Sequence, residues 1–255
     1  MDHSGGVLMF KKNNPCNPCC GICEIGFAGD VIDTVVNAFP NGHGNANVHT
    51  PYDAIRDPIW GASGNKYLDM FYFGFPYADS TTDCDDVDAP WLEDLIFASQ
   101  FKAWIQADGG KAIAIANDTV DCLSDDDVDK YWTFFSHCAV TLQIAKNVKL
   151  DATCEDSGTF PNTSDPYHQA MLDHIREGVE QVNFSGATYI TELSGVDVMR
   201  SVEDDTKGII TVEKIGLGAV ICLADAEMLT DCYDSDSDIK KLLGNFCSLP
   251  DLITY

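Results

Sequence analysis

A chain of 255 residues with 45% apolar side chains can bury a large core, as one sizeable domain with a short appendage. Its 41 acidic residues against 15 basic ones leave a formal charge of −26, which repels phosphate backbones and anionic lipid, so neither nucleic acid nor membrane is an expected partner. Such acidity fits a protein that stays dissolved in crowded or salty surroundings, or one that holds divalent cations.

Residues 1–28 form a cysteine-rich head punctuated by Pro and Gly, where little regular structure is expected. Within it, NPCNPCCGIC packs Cys16, Cys19, Cys20 and Cys23 into eight positions. Four thiolates match the ligand count of a tetrahedral zinc or an iron–sulfur cluster. Adjacent Cys19 and Cys20, however, make it hard for one segment to close such a cage. Disulfides, within the segment or between copies, need only pairing, and Pro15, Pro18 and Gly21 supply the turns. Disulfides, shared metal and free thiols all stay open. The start, MDHSGGVLMFKK, has too short an apolar run for a signal-peptide core, and no later stretch approaches membrane-spanning length. Synthesis in the cytoplasm is therefore expected, although 11 cysteines is heavy usage for a reducing compartment. A virion or another extracellular assembly, reached after cytosolic synthesis, reconciles the two. Asn117, Asn162 and Asn183 begin glycosylation-type triplets, which carry weight only in a secretory pathway.

The rest, 29–255, reads as one α/β domain. VIDTVVNAF, from Val31, is a strand or short helix, followed by a Gly- and Asn-rich loop carrying His43 and His49. YLDMFYFGF (67–75) is a nearly continuous apolar run, the pattern of a strand buried on both faces. Pro90 then opens a helix at about 91–107 with an apolar stripe of Trp91, Leu95, Ala98 and Ile105, widened by Phe97, Phe101 and Trp104. Gly109 and Gly110 stop it, and KAIAIAND gives a second buried strand over 111–117, completing a right-handed βαβ crossover. Ser124 and Asp127 form a capping-box-like start for a helix over 126–139, with Val128, Tyr131, Trp132 and Phe135 facing in. After a polar stretch the chain turns β-rich: ATYITEL, GVDVMRSV, GIITVEKIG and the apolar strand GAVICLADA, whose residues 218–224 are expected to join the parallel sheet. Asp238 caps a closing helix, IKKLLGNFC, with Leu242, Leu243 and Phe246 facing in.

The order of these pieces resembles the class I glutamine amidotransferase-like family. LDMFYFGFP stands where that family has a strand ending in a glycine turn, and FKAWIQADGGKAIAIAND is similar to its helix, Gly-Gly and following strand. LDHIREGVEQVNF resembles the segment containing Gly178-Val179, and VEKIGLGAVICLADAEMLTD followed by LLGNFC resembles the family's last strand and terminal helix. The resemblance covers about residues 30–250 and implies a flavodoxin-like, doubly wound, mostly parallel sheet, here with a β-rich C-terminal half. In active members it implies a cysteine on a G-x-C-x-G strand-to-helix turn, with a His-x-Glu late in the chain. The matching turn here carries Asn117-Asp118, no His-x-Glu occurs, and no histidine follows His174. Cys23, in Gly21-Ile22-Cys23-Glu24-Ile25, lacks the second glycine and precedes the sheet.

The remaining chemistry-bearing groups read chiefly as structure. His137 and Cys138 are neighbours on a helix and point in different directions, which favours a core cysteine over a dyad; Cys222 sits inside an apolar strand. The acidic clusters at 83–88, 124–129 and 234–238 offer hard oxygens for calcium, the last through Asp234, Asp236 and Asp238. As an EF-hand loop the third fails, with Ile239 where Gly is needed and Asn245 where a bidentate Glu is needed. Helix capping and solvation are the favoured account of all three, with calcium as the alternative. The sequence therefore leads to a non-enzymatic structural or binding protein on an amidotransferase-like scaffold. Its head would cross-link or dock to other protein subunits, as in a phage tail or capsid-associated component. The alternative is a hydrolase or amidotransferase whose chemistry has moved to Cys138 with His137, or to a metal on the Asp clusters.

Overall fold

The computed structural model describes residues 25–28, 70–73, 92–115, 125–144, 156–184, 188–191, 194–225, 228 and 237–249. Its strands are β1 (Ile25–Ala28), β2 (Met70–Phe73), β3 (Lys111–Ile115), β4 (Gln143–Ile144), β5 (Asp156–Ser157), β6 (Asn183–Phe184), β7 (Ile190–Thr191), β8 (Val196–Arg200), β9 (Gly208–Ile215) and β10 (Gly218–Leu223). Its helices are α1 (Leu95–Asp108), α2 (Asp125–His137), α3 (Pro166–Ile175) and α4 (Ser237–Cys247). Eight of the described strands form one mixed sheet in the order β1-β2-β3-β10-β9-β7-β4, with β8 also on β9, while β5 and β6 pair separately.

The sheet changes character in the middle. β1, β2, β3 and β10 are parallel neighbours, and their order in space follows the chain. From β10 onward the pairs β10–β9, β9–β8, β9–β7 and β7–β4 are antiparallel. The three expected parallel strands stand side by side, and the β-rich C-terminal half supplies the antiparallel flank. That flank is as extensive as the parallel part, so "mostly parallel" describes one half of the sheet. Residues 25–28, read as the end of an irregular head, instead pair with β2 as a strand.

Side-chain alternation sends Phe71 and Phe73 to one face of the sheet. There the Phe101 ring stands 5.9 Å from Phe71 and 4.8 Å from Phe73, and Phe134 and Phe135 approach Phe73 to 5.6 and 5.3 Å. The alternate row runs Met70, Lys111, Ala219, Lys214 across four strands, and the Lys214 ammonium lies 4.6 Å over the ring of Tyr167 on α3.

Local chemistry sets the helix ends. Asp94, an extended residue, accepts the N–H groups of Ile96 and Phe97 and starts α1. Gly109 ends it in the left-handed region at φ 75°, where glycine carries no Cβ penalty. Gly110 lies against Trp104, whose indole would be 2.3 Å from any Cβ there. The buried stripe of α1 is Phe97, Ala98, Phe101, Trp104 and Ile105. Leu95, expected in that stripe, is 59% exposed, because the Asp94 cap makes it the first helical residue and turns it outward. On α2, Tyr131, Trp132 and Phe135 face in as expected, joined by Phe134.

The closing helix buries Leu242, Leu243 and Phe246. It begins at Ser237, which puts Asp238 in its first turn instead of at its cap. Asp238 instead fastens the segment after α3: its carboxylate accepts the Glu180 and Gln181 N–H groups and pairs with Lys241 at 2.7 Å.

Candidate functional site

In a parallel sheet, ligands gather at the carboxyl ends of the strands. Here that edge is formed by Phe73, Ile115 and Leu223, the last residues of β2, β3 and β10. Two polar residues mark it. Asp225, two positions beyond β10, is fully buried, and the Tyr131 hydroxyl of α2 donates to the Phe73 carbonyl at 3.1 Å. Tyr131 thereby ties α2 to the end of β2, which is structural work for a phenol. Beside it, at 5.0 Å between ring centroids, the buried Trp132 has an indole N–H without an acceptor among the described residues. Asp225 had a faint signal in the sequence, an acidic residue closing an apolar run; the hydroxyl role of Tyr131 had none, because periodicity reads a tyrosine only as core.

The described thiols are poor nucleophiles. Cys138 is buried, and its Sγ donates to the Ala98 carbonyl at 3.6 Å. Burial pushes its thiol far above the ordinary range, with Lys102 opposing only weakly. Its neighbour His137 is exposed on α2, so the two form no dyad. Cys222 is fully buried within β10 and is pushed up by the same cause. Both are free, whereas Cys247 at the end of α4 is disulfide-bonded.

Buried charge in the antiparallel flank is committed to holding the chain together. Arg176, at the C-cap of α3, donates to the carbonyls of Val198, Pro161 and Asp197 at 2.6–3.0 Å and lies 5.5 Å from the centre of the Phe160 ring. Burial lowers its guanidinium to about 10, against the opposing charges of Asp173 and Asp197. Asp197 in turn accepts from Arg200 and Thr211. Glu213, buried on β9, takes the N–H groups of Thr141 and Leu142 on one oxygen and the hydroxyls of Thr141 and Ser194 on the other, at 2.6–3.2 Å. The Arg176 and Glu213 contacts join segments 15 to 72 positions apart, whereas Arg200 and Asp197 are three residues apart on β8.

Of the residues singled out from the sequence, Cys16, Cys19, Cys20, Cys23, His43, His49, the 83–88 cluster, Asn117, Asp234 and Asp236 lie outside the described residues. Of the 124–129 cluster, residues 125–129 lie at the start of α2, and the exposed Asp129 is the acidic residue there whose side chain is described. Asp238 does not present a free carboxylate for a cation, since Lys241 takes one oxygen and two amides the other. Among the described residues no group of three or more His, Cys, Asp or Glu is placed to hold a metal ion, and no helix is long and apolar enough to cross a membrane.

No family model and no curated protein matches the chain. Among solved structures it is similar to the exo-β-1,4-mannosidase Op5Man5 from Opitutaceae bacterium strain TAV5, at 12% identity and a TM-score of 0.37. The match covers 73% of this chain and 26% of that one, and likeness at this level carries no functional weight.

Proposed function

We propose that this is a non-enzymatic structural or binding protein built on an amidotransferase-like, doubly wound scaffold. The observation that carries the proposal is the state of Cys138, a sealed thiol bonded to the Ala98 carbonyl with its neighbouring histidine facing solvent. A nucleophilic cysteine needs thiolate character, access and a base, and Cys138 lacks all three. The scaffold reading draws support from packing on both faces of the sheet, with α1 and α2 over Phe73 and α3 over Lys214.

Its partners are other protein subunits, met through the Cys-rich head by disulfides or a shared zinc or iron–sulfur centre. A virion or comparable exterior assembly is the setting, where a chain with 11 cysteines made in the cytoplasm would meet an oxidising medium. The test treats the native protein with iodoacetamide and maps the label, alongside glutamine and p-nitrophenyl ester turnover. Cys138 and Cys222 should label only after unfolding, with no turnover above buffer. Turnover abolished by replacing one cysteine would overturn the proposal.

A further inference from the structure

We draw no further inference here: the strongest candidate, the Lys214–Tyr167 pair between β9 and α3, sets an ammonium over a ring whose buried phenol oxygen has no partner among the described residues, but nothing among those residues opens a cavity to that oxygen or brings a further ligand-directed group to it.

Discussion

Around Phe73 the rings of Phe71, Phe101, Phe135 and Phe134 stand 4.4, 4.8, 5.3 and 5.6 Å away, and cohesion comes from fitted apolar area. Val198 itself is equally buried, yet its carbonyl is gripped by the Arg176 guanidinium, which also reaches the Pro161 and Asp197 carbonyls. The parallel half thus depends on shape, which neighbouring side chains can partly refill. The antiparallel flank depends on directed bonds from single side chains to distant backbone, which nothing nearby can replace. The two halves should therefore answer differently to conservative and to drastic substitutions.

The largest effect is expected at Phe101, which sits between Phe71, Phe73 and Trp104. Phe101→Ala should cost about 3–5 kcal/mol in urea unfolding at neutral pH, from lost transfer energy and the cavity left behind. Phe101→Leu should cost far less, about 1–1.5 kcal/mol, because an apolar side chain of similar bulk can be accommodated. A leucine as costly as the alanine would show that the aromatic half is held by ring geometry and not by filled volume.

At Arg176 the conservative change should do nearly as much damage as the drastic one. Arg176→Met leaves the carbonyls of Val198, Pro161 and Asp197 without their donor inside the fold, a loss of about 2–4 kcal/mol. Arg176→Lys should recover little of it, since an ammonium cannot reproduce the planar fork. If lysine restored most of the stability, plain positive charge would suffice and the contrast between the halves would fail.

Glu213 tests the same idea on a carboxylate. Glu213→Leu strands the Thr141 and Leu142 amides that join the loop after α2 to β9, for about 1–3 kcal/mol. Glu213→Gln keeps a carbonyl oxygen for the amides while its NH2 faces the two hydroxyls, and should cost no more than about 1 kcal/mol. Amide hydrogen exchange at Thr141 and Leu142 reports directly: fast in the leucine variant, slow in the glutamine variant. Unchanged protection in both would mean that other bonds hold this loop.

The same contrast explains what the sequence made legible. Strands β2, β3 and β10 and helices α1, α2 and α4 follow from apolar runs and 3.6-residue stripes, because in the shape-dependent half the buried residues are close in sequence and identical in kind. The errors there are local: Leu95 lies one residue inside a cap that Asp94 supplies, and Phe134 extends a stripe read as narrower. The flank announced its strands but not its fastenings. Arg176 to Val198, Thr141 to Glu213 and Asp238 to Glu180 span 22, 72 and 58 positions, and no local pattern records such a partner. Asp238 shows the same limit: local pattern makes it an N-cap for its own helix, whereas its carboxylate holds the amides of the irregular segment after α3. Of the candidate site, the buried state of Cys138 and Cys222 was legible from their apolar neighbours, while the role of Tyr131 needed the end of β2 beside it.

The smallest effect belongs to Asp238, and its pH dependence has a definite sign. Desolvation pushes its carboxyl up, but the Lys241 ammonium and the Glu180 and Gln181 amides outweigh it and hold the group at about 2, below the ordinary 3.8. The folded state thus binds the proton more weakly than the unfolded chain, so the contribution is fully present above about pH 4 and is lost as pH falls towards 2. The pair is partly open to water, with Lys241 half exposed, and screening limits the contribution to about 1 kcal/mol. Asp238→Asn should therefore destabilise the protein slightly at pH 7, and the gap from the unaltered protein should close between pH 4 and 2. A gap that persisted undiminished at pH 2 would show that the asparagine disturbs the packing of α4 against α3, and that the carboxylate's charge is not what joins them.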